Sequence, residues 1–132
     1  MVGIVIVSHS KQAAEGIREL SMQMAGHEQK IIAVGGTDDG RIGTDALKIY
    51  EAIQNADCGK GVVVLVDLGS AVLSTTAAMD LLTEEGIIID VRLADAPVLE
   101  GSVSAAVQAF IGGTIEEVVA AAELARQISK QL

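Results

Sequence analysis

Two residues in this chain carry the means of nucleophilic chemistry, and each sits at the end of an apolar run. His9 comes two residues after GIVIV (3–7) in the opening MVGIVIVSHS, and Asp67 directly follows GVVVLV (61–66) in VVVLVDLGSA. A carboxylate that accepts a hydrogen bond from one imidazole N–H selects the tautomer, leaves the other nitrogen unprotonated and stabilises the cation formed when that nitrogen reacts. The sequence leaves open which nitrogen reacts; an Asp67 bond to Nδ1 leaves Nε2 for the incoming group. Taken singly, each residue has a plainer reading. A histidine after a strand is a turn residue, and an aspartate there is a helix cap. The chemistry requires the two to meet, so the elements that carry them decide between the readings.

Those elements alternate. Short continuous Val/Ile runs at 3–7, 30–34, 61–66 and 86–91 have the texture of strands buried on both faces. Between them lie segments with helical spacing. KQAAEGIRELSMQMAG follows Ser10, with Ala13, Ile17, Leu20 and Met24 as its stripe and Gly26 as its end. Thr44 is placed to cap DALKIYEAIQNA, in which Ala46, Ile49, Tyr50 and Ile53 share a face, and Ser70 or a neighbour opens AVLSTTAAMDLLTEEG. Beyond Pro97 the pattern predicts two helices and no strand, broken at Gly112-Gly113. The last opens on TIEE, where Thr114 and Glu117 have capping-box spacing and Ile115, Val118, Val119, Ala122 and Ile128 form the apolar face. The whole chain, 1–132, reads as a single domain.

Strand–helix alternation implies right-handed crossovers and a parallel sheet. The expectation is therefore a doubly wound α/β fold: a mainly parallel four-stranded sheet in the order 2-1-3-4, flanked by helices, with a helical C-terminal region. In that order the ligand crevice opens between the carboxyl ends of strands 1 and 3, where His9 and Asp67 become neighbours. Gly69-Ser70 then lies at a helix N-terminus, whose N–H groups and dipole favour an anion, and Ser8 and Ser10 offer hydroxyl donors beside the histidine. A phosphoryl group on His9 would be well housed. The loop GGTDDGRIGTD (35–45) belongs to the same edge. Two readings of it stand side by side: a connection and cap for the second helix, or a wall of the crevice. In the second reading Gly36, Thr37 and Thr44 face a phosphate and Arg41 meets a phosphorylated partner. The Lys-Ser/Thr ending of a P-loop is absent. His27, among polar residues in AGHEQK, reads as a solvated surface residue.

Composition removes several classes. Eighteen acidic against nine basic residues give a formal charge of −9, with no clustered Lys/Arg stripe, which argues against nucleic-acid and anionic-membrane binding. Half of the residues are hydrophobic with one Tyr, one Phe and no Trp, so the core must be aliphatic. Cys58 is the only cysteine, which excludes an internal disulfide, fits a reducing compartment and reads as a small half-buried side chain near a helix end. No run approaches the ~20 apolar residues of a membrane span, and the start lacks a basic signal-peptide region. The expected location is the cytoplasm.

GIVIVSHS, GGTDDGRIGTD and VDLGSA, in that order and spacing, resemble the enzyme IIA domains of the mannose class of the bacterial phosphotransferase system. The nearest branch is the phosphotransfer subunit of the phosphoenolpyruvate-dependent dihydroxyacetone kinase. The resemblance implies that His9 accepts a phosphoryl group from the histidine-containing phosphocarrier protein, with Asp67 hydrogen-bonding the ring. It also implies onward transfer to ADP held on the kinase's nucleotide-binding subunit, and a homodimer. No metal site or cofactor of its own is expected, since ADP and Mg²⁺ would reside on that partner. Because the chain stops at Leu132, the phosphocarrier is expected on a separate polypeptide.

A sugar-transporting enzyme IIA with the same His9 chemistry is the nearest alternative. Such members usually carry a GGSP-like turn where this chain has Leu68-Gly69-Ser70-Ala71, which favours the kinase branch. A response-regulator receiver with Asp67 as acceptor needs an acidic pair after strand 1, and Ser8-His9-Ser10 stands there instead. A plain ligand-binding module leaves the placement of His9 and Asp67 unexplained.

Overall fold

Four strands and five helices alternate in the computed structural model, which describes residues 1–131. The order is β1 (Gly3–Ser8), α1 (Lys11–Ala25), β2 (Ile31–Gly35), α2 (Ala46–Ala56), β3 (Val62–Val66), α3 (Gly69–Glu84), β4 (Val91–Leu93), α4 (Val98–Phe110) and α5 (Ile115–Leu124), with a 3-10 turn at Ala125–Gln127. All pairings are parallel and the strand order is β2-β1-β3-β4. This is the doubly wound α/β sheet that the continuous apolar runs imply.

The two faces of the sheet divide the core by the period-2 rule. Ile4, Ile6, Val63 and Leu65 point to the side covered by α1, α4 and α5, where they meet Ile17, Ala105, Ala109, Val118 and Ala122. Val5, Val7, Val62 and Val64 point to the side of α2 and α3, against Ile49, Ile53, Ala71, Ala78 and Leu82. Every apolar residue of β1 is therefore buried, whichever way it faces. The small alanines of α4 and α3 let the helices approach closely enough for an aliphatic core to fill the space.

The local signals differ from this structure in instructive places. β4 is shorter and later than the GIIIDV run predicts. Val91 is the residue in register with Val62 at the start of β3, so residues 87–90 lie beyond the amino edge of the sheet, and Ile88 is 98% exposed. α1 buries Ala14, Ile17 and Ser21, whereas Leu20 and Met24 of the predicted stripe face outward. Both series share Ile17 and helical spacing, and the packing of α1 against the sheet and α4 buries the one with Ala14 and Ser21. Asp45, not Thr44, caps α2, its carboxylate accepting from Leu47 N–H at 2.9 Å. Ile128 lies past the end of α5 and is exposed, and so is Cys58. The Thr114–Glu117 capping box forms in both directions, at 3.2 and 2.9 Å.

Thr75, fully buried in α3, has a hydroxyl without a hydrogen-bond partner. An unsatisfied buried polar group costs about 1–3 kcal/mol, and an apolar isostere removes that cost. Thr75→Val is therefore expected to stabilise the protein by about 1 kcal/mol. A lower urea midpoint for the variant would contradict the assignment.

Candidate functional site

β1 and β3 end side by side, with Val7 opposite Val66. β1 runs one residue further than expected, through Ser8, so His9 is the first residue beyond the sheet and Asp67 is the first beyond β3. The chain divides here, α1 leaving toward one face and α3 toward the other, which opens the carboxyl edge.

Asp67 receives four hydrogen bonds from four different donors. Its Oδ1 accepts from the His9 ring at Nδ1 (2.9 Å) and from Leu68 N–H (2.7 Å). Its Oδ2 accepts from His9 N–H (2.9 Å) and from the Ser8 hydroxyl (2.9 Å). Burial pushes the Asp67 carboxyl up, but the His9 backbone and ring, Ser8 and Leu68 together outweigh it, and it is held below the ordinary carboxylate value. An ionised carboxylate only accepts, so Nδ1 carries the ring proton and Nε2 presents a lone pair. Ser70 Oγ lies 2.5 Å from Nε2 and is its donor. The imidazole is thus fixed at both nitrogens, with 19% of its side-chain surface open.

The backbone of His9 is fixed as well. Its carbonyl accepts from Gly43 N–H at 2.9 Å, which fastens the 36–45 loop to the histidine. The start of α1 crosses the end of β2 so closely that a Cβ on Gly35 would lie 2.7 Å from the Ser10 carbonyl oxygen and 2.8 Å from Lys11 Cα. Only glycine fits there. Gly35→Ala is expected to cost about 1–3 kcal/mol, as overpacking does, and to displace the turn that holds His9. An unchanged urea midpoint together with an unchanged His9 ring resonance would refute this.

The loop after β2 walls an open cleft of about 780 Å³ that begins at His9 and is lined by Lys11, Gly36, Thr37, Arg41 and Lys48 among others. Its polar groups are largely spent on one another. Thr37 N–H bonds the Arg41 carbonyl at 2.9 Å, and the Thr37 hydroxyl bonds Asp39. Arg41 reaches Asp39 through Nη2 at 2.5 Å, and these bonds hold the Asp39 carboxyl at about 2. Lys48 pairs with Asp38 at 3.0 Å across the cleft.

The remaining predicted site residues divide into two groups. Gly69 and Ser70 open α3 behind Leu68, which supplies no side-chain cap; Ala71 N–H bonds the Leu68 carbonyl at 3.0 Å, and the N–H groups of Gly69 and Ser70 remain for another acceptor. The Ser8 hydroxyl donates to Asp67 and is not offered to a ligand, whereas Ser10 Oγ accepts from Ala13 N–H as the cap of α1 and keeps its own proton to donate. The Thr44 hydroxyl lies 2.6 Å from Ser74 Oγ on α3, and Arg41 stands 82% exposed at the rim. Sequence reasoning missed Gly43 and Leu68, which act through backbone N–H groups that every residue type but proline supplies. Among the described residues, no group of three or more His, Cys, Asp or Glu is arranged to hold a metal ion. No helix among them is long and apolar enough to cross a membrane.

Comparison with known proteins agrees with this architecture. The family described as "PTS system fructose IIA component", EIIA-man, matches residues 3–119. A dihydroxyacetone kinase phosphoryl donor subunit, DhaM, of Listeria innocua is 39% identical over 119 residues, covering 90% of this chain and 94% of its own. The corresponding subunit of Providencia stuartii is 39% identical over 134 residues, 99% of this chain, and the chain spans only 28% of that longer protein. A solved structure of a protein of unknown function, EF1359, shares 38% identity with a TM-score of 0.80 and 92% of each chain covered. This chain belongs to the mannose-class EIIA family of the phosphotransferase system, in its DhaM-type branch.

Proposed function

We propose that His9 is a phosphoryl relay: it accepts a phosphoryl group from a phosphohistidine on the phosphocarrier protein and passes it to ADP on the nucleotide-binding subunit of a dihydroxyacetone kinase. The observation that carries this reading is the Asp67 carboxylate saturated by four donors, which leaves Nε2 as the one ring atom with a lone pair at the open edge. The printed names of the relatives, phosphoryl donor subunits, support it.

In the first half-reaction the Nε2 lone pair attacks phosphorus in line. The P–Nε2 bond forms as the P–N bond to the carrier breaks, and that electron pair returns to the carrier imidazole. Positive charge builds on the His9 ring and Asp67 neutralises it. The Ser70 hydroxyl, which occupies Nε2 at rest, releases the lone pair and turns its proton to a phosphoryl oxygen. The uncapped start of α3 at Gly69-Ser70 supplies further N–H donors to that anion. In the second half-reaction an oxygen of the ADP β-phosphate attacks, the P–Nε2 bond breaks, and its pair returns to the ring. Positioning and charge stabilisation suffice for both steps.

The relay works as one EIIA domain spanning 1–132 in the cytoplasm, without a cofactor of its own and as a homodimer. Its −9 charge favours encounter with basic faces of its partners. An enzyme IIA acting on a sugar permease shares the His9 chemistry, and the fructose IIA description of the family keeps it as the second reading.

Intact-protein mass spectrometry after incubation with phosphoenolpyruvate, enzyme I and the phosphocarrier tests the relay. One acid-labile phosphoryl adduct is expected, discharged by the ADP-loaded kinase subunit and retained with a permease subunit. No adduct would end the reading, and discharge only to the permease would select the alternative.

A further inference from the structure

Ser8 has no part in phosphoryl binding here, yet it is 3% exposed and makes two hydrogen bonds of opposite sense. Its Oγ accepts at 3.1 Å from the N–H of Ser10, the N-cap of α1, and donates to Asp67 Oδ2 at 2.9 Å. The directions are forced. The Ser10 N–H can only donate, so the hydroxyl proton is left for the carboxylate, which can only accept. The bond to Ser8 and the bond to His9 N–H together use up Oδ2, which fixes the rotation of the carboxylate and leaves Oδ1 aimed at His9 Nδ1.

We infer that Ser8 is a positioning residue for the relay: acting through Asp67, it sets the carboxylate angle that keeps the His9 proton on Nδ1 and the lone pair on Nε2. With the hydroxyl removed, Oδ2 keeps only His9 N–H, and the carboxylate, held by three donors instead of four, is less restrained about its Cβ–Cγ bond. The His9 tautomers then mix, and the fraction of rings able to attack falls. Groups that orient a metal-bound histidine from behind matter by about ten- to a hundredfold, and the low end of that range is the effect expected here.

The kinetic part rests on the relay proposed above, whereas the tautomer part does not, and the experiment separates them. ¹⁵N NMR of the His9 ring is recorded on unphosphorylated wild type, Ser8→Ala, Ser8→Cys and Ser8→Thr, alongside the rate of adduct formation from the phosphorylated carrier. Wild type and Ser8→Thr are expected to show one tautomer with Nδ1 protonated. Ser8→Ala is expected to show mixed tautomers and a rate about tenfold lower, and Ser8→Cys, which keeps the bulk with a weak donor, is the backup should the alanine variant not fold. A single Nδ1–H tautomer in both Ser8→Ala and Ser8→Cys with rates within twofold of wild type would overturn the inference. Mixed tautomers in a protein whose wild type takes no phosphoryl group would uphold Ser8's role and reject the relay.

Discussion

With His9 replaced by alanine, incubation with phosphoenolpyruvate, enzyme I and the phosphocarrier leaves the protein mass unchanged. The loss is expected to be complete, because in the proposed relay Nε2 is the atom that forms the bond. Folding should survive the change. The His9 ring lies at the sheet edge with 19% of its side chain exposed, and the backbone bonds of residue 9 to Asp67 and Gly43 do not depend on the ring. Urea unfolding near the wild-type midpoint, combined with no adduct, separates lost chemistry from lost structure. A phosphoryl adduct on the alanine variant would move the acceptor elsewhere and dismantle the relay.

The second large effect belongs to Asp67. Asparagine keeps the shape of the side chain but replaces one acceptor oxygen by an amide that donates. Whichever way the amide turns, it meets two donors that the carboxylate accepted: His9 Nδ1–H and Leu68 N–H on one side, or His9 N–H and the Ser8 hydroxyl on the other. With the amide against Nδ1, the ring moves its proton to Nε2 and the lone pair faces the wrong way. The same tautomer reversal costs a Ser-His-Asp triad, in which the imidazole acts as general base, about 10⁴-fold. The phosphoryl acceptance rate of Asp67→Asn is expected to fall about 10³-fold, and Asp67→Ala to lose most but not all activity. A rate within tenfold of wild type would show that the carboxylate does not govern the ring.

Asp67 leaves a signature in acid stability as well. Its carboxyl is held below the ordinary 3.8 in the folded protein, so the folded state binds this proton less readily than the unfolded chain. The resulting stability is fully present above the ordinary carboxylate value and is lost as pH falls through the lowered one. Wild type should therefore lose stability more steeply than Asp67→Asn below about pH 4. Parallel acid-unfolding curves would count against the four-bond arrangement.

Much of this is legible in the sequence. The strand order follows from continuous apolar runs separated by helix-length segments, because a strand buried on both faces cannot alternate, and parallel neighbours need crossovers. That order alone brings His9 and Asp67 to one edge. Capping is local enough to be read directly, and Thr114 with Glu117 forms the box that their spacing predicts. α1 is a different case. Its two possible stripes share Ile17, and nothing within the helix reveals that its neighbours bury Ala14 and Ser21, not Leu20 and Met24. The run 86–91 reads as a strand on composition, yet pairing begins only at Val91, where β3 supplies partners.

The sequence by itself determined the parts of this protein whose cause is local or periodic: the buried strands, most helix limits, the aliphatic core and the two residues placed to react. Tertiary structure decided which partner each side-chain hydrogen bond finds wherever that partner is not a local cap. Ser8, Ser10 and Thr44 are equivalent hydroxyls in the sequence, but the junction of β1, β3 and α3 sends one to Asp67, one to the start of α1 and one to Ser74. The physical reason is that a hydroxyl has no preferred partner of its own. The fold sets its direction by bringing one acceptor or donor within about 3 Å and leaving the others out of reach.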